Sequence, residues 1–244
     1  MDHRQSLEGW LTSLQAPVGA RYHHGVSTFE PISQEPPAER LARRLEGSAT
    51  PRSTMAAVFH QLADLDLAVY RAVASTPTPT LDAPLRRLSG LADRSTLWFG
   101  AAGALFLLGG KAGRRAAVTG VVALGVNSAV VNLPMKFATG RARPDRESAA
   151  VPEQRRVPMP TSTSFPSGHS ASGFAFAGAV AGSLPGVAVP LRGLAAAVAY
   201  SRVHTGVHFP GDVIVGSLVG ATIGEATSLV GRALRRRREA GRET

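Results

Sequence analysis

Five strongly apolar runs alternate with polar connections along the last two thirds of the chain. They cover residues 97–110, 116–135, 171–189, 191–203 and 213–230. The second run has about the twenty residues that the hydrocarbon core of a bilayer requires. Alanines and glycines recur in the third run, and small residues of this kind let membrane helices approach closely. The pattern predicts an all-α fold, an integral membrane helical bundle of about five transmembrane helices.

The segment before these runs is amphipathic. The apolar positions of residues 55–74 recur at helical spacing. Four ionisable residues fall among them: His60, Asp64, Asp66 and Arg71. Because charges inside the hydrocarbon are costly, the pattern predicts an additional amphipathic N-terminal helix that lies at the interface or covers the bundle.

Residues 1–54 form a polar segment rich in Pro, Glu and Arg, without the apolar core of a secretory signal peptide. This composition predicts a mobile tail, in which the adjacent His23 and His24 are interpreted as a solvated turn rather than a metal site. The predicted division is therefore a polar tail (1–54), a membrane-embedded domain (55–231) and a basic cytoplasmic C-terminal tail (232–244).

The chain carries a formal net charge of +10 and contains no cysteine. A basic balance can indicate nucleic-acid binding, but here the cations lie beside apolar runs, as cytoplasmic cations of membrane proteins do. We therefore expect the partner to be the bilayer and not nucleic acid, with Arg235–Arg238 beside anionic headgroups. Disulfides and thiolate metal ligands are excluded because the sequence has no thiol.

Three polar clusters stand at the ends of the apolar runs. They contain Lys136, Arg141 and Arg143 after the second run, residues 161–170 before the third, and Arg202, His204, His208 and Asp212 between the fourth and fifth. In a bundle, these ends can converge on one pocket of cations, two histidines and a carboxylate. Arginine and lysine side chains, and the free N–H groups of a helix N-terminus, all favour a phosphate group.

Local chemistry at two of the clusters agrees with a phosphate site. Gly168 and His169 stand where a helix begins, so an oxyanion can approach the backbone closely. Pro210 favours a helix start, which places His208 just before the first turn and Asp212 in it. A carboxylate there can accept a hydrogen bond from one imidazole nitrogen and leave the other nitrogen as an unprotonated nucleophile.

The spacing of the three clusters resembles the three-part signature of the type 2 phosphatidic acid phosphatase superfamily. This superfamily also includes bacterial class A acid phosphatases and vanadium haloperoxidases. The blocks are Lys136 with six residues before Arg143-Pro144, then Pro166-Ser167-Gly168-His169, then Ser201-Arg202 followed by His208 and Asp212. Every residue of the pattern is present in order. The resemblance covers about residues 62–226 and indicates a bacterial membrane member.

The resemblance implies a role for each matching residue. His208 attacks phosphorus to give a phosphohistidine, Asp212 orients His208, and His169 protonates the leaving oxygen. Water then cleaves the intermediate. The substrate phosphate is bound by Lys136, Arg143, Ser167, Gly168 and Arg202. Neither a metal nor another cofactor is implied.

The expected function is hydrolysis of a lipid phosphate monoester or diphosphate, such as phosphatidate, phosphatidylglycerol phosphate or a polyprenyl (undecaprenyl) diphosphate. One alternative is a vanadate-dependent haloperoxidase, because vanadate mimics phosphate in the same kind of site. Another is a non-catalytic lipid-binding membrane protein, which the intact catalytic positions disfavour. Specificity is expected to depend on the long loop of residues 145–163, since loops of this length near a site tend to be functional.

Polar residues outside the signature receive other interpretations. Arg141 either assists at the phosphate or faces solvent, and His204 is interpreted as a structural residue. Asn127 and Asn132 are interpreted as interhelical hydrogen-bonding groups. Glu225 is interpreted as a buried or interfacial carboxylate, and no role is assigned to it.

Charges along the runs predict the orientation of the site. Lys111, Arg114 and Arg115 are expected to form the connection between the first and second runs, and such positive connections are typical of the cytoplasmic side. Threading the chain from that connection brings all three clusters to the opposite side. We therefore expect an integral plasma-membrane protein whose active site faces the extracytoplasmic side.

Overall fold

The computed structural model describes Glu39 and residues 54–242, so the predictions for the rest of the polar tail lie outside the described residues. All secondary structure in the described part is helical, which confirms the all-α prediction there. The helices are α1 (Thr54–Ser75), α2 (Pro79–Leu91), α3 (Thr96–Leu108), α4 (Gly110–Val130), α5 (Lys136–Thr139), α6 (Gly168–Ala181), α7 (Pro185–His204) and α8 (Pro210–Ala240). Shorter turns are a 3₁₀ turn at Asp93–Ser95, a π-helical turn at Val131–Met135 that joins α4 to α5, and a 3₁₀ turn at Glu153–Arg155.

The connection between α3 and α4 is only a tight turn. Gly110 has a φ of 57°, a left-handed conformation that glycine adopts without strain. The prediction that Lys111, Arg114 and Arg115 form a loop is therefore wrong, because they lie in the first turns of α4.

Other helix boundaries also differ from the apolar runs. The third run is interrupted near Pro185-Gly186, as this pair predicts, because α6 ends at Ala181 and Pro185 begins α7. At the other end of the chain, α8 continues to Ala240 and includes Arg235–Arg238. A helix can extend beyond its apolar stretch because its backbone hydrogen bonds continue through polar residues.

Helix α6 lies at the centre of the bundle and packs against α4, α7 and α8. Three glycines of α8, spaced four residues apart, face the backbone of α6: Gly216, Gly220 and Gly224. A Cβ atom added to Gly220 would lie 2.1 Å from the carbonyl oxygen of Ala171. Only glycine permits this approach, which is the close contact of small residues that membrane helices use.

Helix α1 covers part of the bundle, which is one of the two positions predicted for it. It contacts α7 and α8 through a face on which Tyr70 and Ala74 are buried, while Phe59 and Leu62 are exposed. The ring of Tyr70 packs edge-on against Phe209, with 5.4 Å between the centroids. The helix therefore places its polar residues next to the start of α8.

Two of the described helices are long and apolar enough to cross a membrane, namely Gly110–Met135 and Pro210–Ala240. Helices α3 and α6 have 13 and 14 residues, or about 20 Å each, against the roughly 30 Å of a bilayer core. Two candidate spans thus support a membrane protein, and the count of five spans stays a prediction.

Candidate active site

A cavity of about 450 Å³ opens at one end of the bundle, beside the start of α3 and the start of α6. Its polar wall is formed by Lys136, Arg143, Gly168, His169 and His208. All three polar clusters predicted from the sequence contribute to this wall. The expected convergence of the clusters on one pocket is therefore observed for these five residues.

His208 lies between a carboxylate and the cavity. Its Nδ1 atom is 3.4 Å from Asp212 Oδ2 and 3.5 Å from Ser164 Oγ, and its Nε2 atom is 3.3 Å from Arg143 Nη1. Burial lowers the pKa of His208 to about 4, although the hydrogen bond with Asp212 acts in the opposite direction. The imidazole is therefore neutral at physiological pH and carries one nitrogen lone pair that can attack an electrophile.

Asp212 is fully buried and saturated with hydrogen bonds. Its Oδ2 atom accepts hydrogen bonds from the backbone N–H of Phe209 at 2.9 Å and from the Ser164 hydroxyl. Its Oδ1 atom accepts from Arg141 Nη1 at 2.6 Å. Donors on both oxygens fix the plane of the carboxylate and keep it ionised, so it can hold His208 in one orientation.

Arg141 connects this carboxylate to helix α1. Its Nη2 atom donates to Asp66 Oδ2 at 2.6 Å, and its guanidinium group lies 4.3 Å from the centroid of the Phe209 ring. Asp66 Oδ1 accepts a further hydrogen bond from the backbone N–H of Gly211 at 2.6 Å. Arg141 is thus engaged in two ion pairs rather than directed to solvent. In the sequence, this contact of α1 with Arg141 is indicated only by the charge of Asp66 on an otherwise apolar face of the helix.

Two cations stand together on the cavity wall. Arg143 donates to the carbonyl oxygen of Ser162 at 2.8 Å and to that of Val207 at 2.8 Å, and Lys136 donates to Ser162 Oγ at 3.1 Å. Burial, and the neighbouring charge of Arg143, lower the pKa of Lys136. Neither cation forms an ion pair with a carboxylate of the described residues. The wall therefore attracts an anion.

His169 has a carboxylate partner that the sequence did not indicate. Its Nε2 atom is 2.7 Å from Oδ1 of Asp93, which lies in the turn before α3. The next two residues, Arg94 and Ser95, have φ values of 52° and 60°, and both line the cavity. Left-handed residues other than glycine are strained and concentrate at functional sites. The turn before α3 is therefore part of the site.

Two predicted phosphate ligands lie behind the cavity wall. Ser167 is buried at the start of α6, where its Oγ atom accepts a hydrogen bond from Ser170 Oγ at 2.9 Å and caps the helix. Arg202 is also buried, and it donates to Ser89 Oγ at 2.6 Å while lying 4.0 Å from Asp93 Oδ1. Their direct contact with a phosphate stays a prediction.

Two ionisable residues outside the signature lie away from the cavity. The buried ring of His204 has Nε2 2.9 Å from Thr78 Oγ1 and 3.2 Å from Asp82 Oδ1, which agrees with a structural interpretation. Of the two interpretations of Glu225, the buried carboxylate is wrong, because the side chain is 63% exposed and lies 3.6 Å from Arg192. The interfacial carboxylate stays a prediction.

Asn127 joins two helices, as predicted. Its Nδ2 atom donates to Ser172 Oγ at 3.2 Å and so connects α4 with α6. The side chain of Asn132 lies outside the described residues.

The long loop of residues 145–163 is held against the bundle by a buried arginine. Arg155 donates to Asp82 Oδ1 at 2.8 Å and to backbone carbonyl oxygens at the end of α1 and just beyond it. From this loop, Pro160 and Ser162 reach the cavity wall. The loop therefore contributes a small part of the cavity.

Comparisons with known proteins agree with this site. A family model described as the PAP2 superfamily matches residues 116–236, a stretch that contains all eight predicted site residues. Two relatives from Mycobacterium tuberculosis (strains CDC 1551 / Oshkosh and ATCC 25618 / H37Rv) are both named decaprenylphosphoryl-5-phosphoribose phosphatase. Each is 38% identical over 105 residues, which cover 43% of this chain and 56% of the relative.

Two solved structures resemble the fold. Aquifex aeolicus LpxE has a TM-score of 0.53 and 28% sequence identity, covering 67% of this chain and 94% of that one. The first transmembrane PAP2 type phosphatidylglycerolphosphate phosphatase from Bacillus subtilis has a TM-score of 0.55, with 83% of this chain and 96% of that chain covered. Its 19% identity makes it a likeness of fold alone.

The helical bundle is similar to these two solved structures. Residues 116–236 match the PAP2 superfamily, which confirms the resemblance predicted from the three-part signature. Helix α1, which supplies Asp66, and the turn before α3, which supplies Asp93, lie outside the matched stretch, as do α2 and α3. The chain spans little more than half of the length of the mycobacterial relatives.

Proposed function

We propose that the protein is a phosphatase that hydrolyses phosphate monoesters or diphosphates of lipids through a phosphohistidine on His208. The observation that carries this proposal is the position of His208. One ring nitrogen is directed at the buried carboxylate of Asp212, and the other lies beside Arg143 at the cavity. A nucleophile, its orienting group and an anion site are thereby brought together, which is the arrangement that covalent catalysis requires.

Phosphoryl transfer in this site takes two steps. In the first, Nε2 of His208 forms a bond to phosphorus while the bond from phosphorus to the lipid oxygen breaks, and protonated His169 gives its proton to that oxygen. In the second, neutral His169 takes a proton from water, whose oxygen displaces His208 and releases inorganic phosphate. Lys136 and Arg143 stabilise the charge on the phosphoryl oxygens in both steps, and Asp212 stabilises the charge that develops on His208.

The substrate is proposed to be a lipid because the cavity continues into an apolar cleft. Phe99 of α3 and Val121 of α4 line it and are themselves about half exposed on the outside of the bundle. A hydrocarbon chain can leave the site sideways between these helices into the bilayer. Candidate substrates are phosphatidate, phosphatidylglycerol phosphate and polyprenyl diphosphates. The name of the mycobacterial relatives adds a polyprenyl-linked phosphoribose.

We further propose that α3, α4, α6, α7 and α8 all cross the membrane, with the site on the extracytoplasmic side. Lys111 and Arg115 begin α4, and Arg235 and Arg238 end α8. These two ends are adjacent, because residues near the start of α4 and near the end of α8 line one groove. None of these four cations forms an ion pair with a described carboxylate. Solvated cations at this end are what the cytoplasmic side favours.

Purified protein in detergent tests the reaction. Phosphate release from phosphatidate and from an aryl phosphate should persist in EDTA and be inhibited by vanadate, because side-chain cations neutralise the phosphate. His208→Ala should abolish both activities. His169→Ala should lose about 10²- to 10⁴-fold on phosphatidate. On the aryl phosphate, whose leaving group needs no proton, it should keep rapid release of the aryl alcohol in the first turnover, whereas hydrolysis of the phosphohistidine, for which His169 is the base, should be slowed.

Two results would contradict the proposal. One is loss of activity on chelation that a divalent metal restores. The other is an equal first-turnover release of the aryl alcohol by the two histidine variants, because that would remove the distinction between nucleophile and acid.

A further inference from the structure

Below the phosphate-binding wall, the cavity has a second polar spot. Its surroundings are apolar, since Phe99, Val121 and Leu124 line the same space. Among them stand Asn127 of α4 and Ser172 of α6, which also line the cavity. A polar pair in a wall that otherwise suits hydrocarbon is unfavourable unless a ligand or a neighbour satisfies it.

Asn127 is only half satisfied by the protein. Its side chain belongs to a residue that is 1% exposed, and its Nδ2 atom donates to Ser172 Oγ at 3.2 Å. Its Oδ1 atom is buried and has no hydrogen-bond partner among the described residues. The amide therefore holds an unpaired acceptor beside the cavity wall, and the Ser172 hydroxyl, which receives the Nδ2 hydrogen, keeps its own hydrogen as a donor.

The position of Asn127 and Ser172 relative to His169 indicates which part of the substrate they would contact. Ser172 follows His169 by three residues on α6, a rise of about 4.5 Å along the helix. Since His169 faces the leaving oxygen in the proposed reaction, the pair lies beside the first few atoms of the leaving alcohol. A hydroxyl group matches the pair best, because it can donate to Asn127 Oδ1 and accept from Ser172.

We propose that Asn127 and Ser172 form a subsite for a free hydroxyl on the leaving alcohol. The preferred substrates are therefore lipid phosphates that carry a hydroxyl close to the phosphate-bearing carbon. This inference rests on the proposed phosphatase function and adds a substrate class to it. The subsite would reject the matching alcohol without a hydroxyl, because Asn127 Oδ1 would then stay buried against hydrocarbon.

Two substrates that differ in one oxygen test the subsite. They are 1-oleoylglycerol 3-phosphate and its analogue without the 2-hydroxyl, the oleoyl ester of 3-hydroxypropyl phosphate. The ratio of their kcat/KM values is measured for the wild type, Asn127→Leu and Asn127→Asp. Any intrinsic difference in reactivity cancels when ratios are compared between enzymes.

We expect the ratio of kcat/KM for the hydroxyl substrate to kcat/KM for the analogue to be about tenfold higher in the wild type than in Asn127→Leu, the effect of one hydrogen bond. Asn127→Asp, which keeps an acceptor, should retain the preference. Asn127→Leu should hydrolyse the analogue at least as fast as the wild type does, whereas loss of a merely structural contact would slow both substrates alike. If Asn127→Leu does not fold, Ser172→Ala replaces it, and its ratio should fall in the same direction.

An unchanged ratio in the folded variant would overturn the subsite while leaving the phosphatase function intact. Failure of the wild type to release phosphate from either substrate, or from any other lipid phosphate, would overturn both proposals.

Discussion

Burial of His208 determines the charge of the group that we assign as nucleophile. An exposed histidine titrates near pH 6.5, whereas burial lowers the pKa of His208 to about 4. The neutral ring attacks, so activity is lost as the pH falls through this pKa. The same depression means that protons favour the unfolded chain, and the free energy of unfolding should fall between about pH 6.5 and pH 4.

This pKa predicts a pH profile. We expect the ionisation of the free enzyme that limits kcat/KM in acid to lie near pH 4 and not near 6.5. Arg143→Gln should move this limb to higher pH at a reduced rate, because the Arg143 cation helps to lower the pKa of His208. The ionisation of an aryl phosphate substrate is the same for both enzymes, so the difference between their profiles isolates the enzyme group. A limb at the same pH in both would refute the assignment.

At the residue scale, the sequence placed some site residues correctly and could not place others. Lys136, Arg143, His169 and His208 line one cavity, as the positions of their clusters at helix ends predicted. Arg202 belongs to the same signature but donates to Ser89 behind the wall. Spacing along the chain determines which end of a helix a residue occupies, whereas the direction of a long side chain depends on its neighbours.

At the scale of the helix, α1 does more than cover the bundle. Asp66 reaches both Arg141 and the backbone of Gly211, and Arg141 reaches Asp212. The helix thus holds the first turn of α8 and the charged partner of the orienting carboxylate. We infer that α1 positions the catalytic pair although it lies outside the family match.

Asp66→Asn tests this role. It keeps the shape of the side chain but removes the charge opposite Arg141, so kcat should fall by about ten- to a hundredfold, the range of one charge-assisted hydrogen bond. The Michaelis constant should change little, because Asp66 does not line the cavity. Glu239→Gln, an exposed change near the end of α8, is the control and should keep full activity. Wild-type kcat in Asp66→Asn would show that α1 acts only as cover.

The contact between α6 and α8 predicts a sharp difference between two glycines. Gly220→Ala puts a Cβ atom 2.1 Å from the carbonyl oxygen of Ala171, so it should lower the free energy of unfolding by about 1–3 kcal/mol through overpacking. Gly103→Ala in α3 meets no atom within 4 Å and should leave stability unchanged or raise it by about 0.5–1 kcal/mol through helix propensity. Thermal unfolding in detergent measures both. Equal effects would mean that the two helices do not pack this closely.

At the scale of the whole molecule, the proposed orientation can be tested by labelling. The chain contains no cysteine, so single cysteines can be introduced at exposed positions without background. Gln154→Cys in the loop near the site should react with an impermeant maleimide in intact cells. Ala240→Cys at the end of α8 should react only after lysis. The reverse pattern would place the site in the cytoplasm. Reaction of both cysteines in intact cells would show that the loop near the site and the end of α8 lie on the same side of the membrane.

The sequence by itself determined the class of fold, the family and the residue types of the site. Apolar runs predict helices because a buried helix needs a continuous apolar surface. The spacing of the cations and histidines predicts the site because these residues stand at helix ends, whose positions depend on the local sequence. Helix boundaries were less predictable, since α8 continues to Ala240 and α4 begins at Gly110. The hydrogen bonds of the helix backbone form whether the side chains are polar or apolar.

Only the tertiary structure decided which distant groups support the site. Asp66 and Asp93 come from segments that carry no recognised motif, and Ser164 is not one of the signature residues, yet they contact Arg141, His169 and Asp212. A single carboxylate or hydroxyl in a helix or turn has the same local appearance whether it faces solvent or a catalytic group. Its partner is set by how the helices pack, and here the glycines of α8 allow the approach to α6 that brings the start of both helices to one cavity.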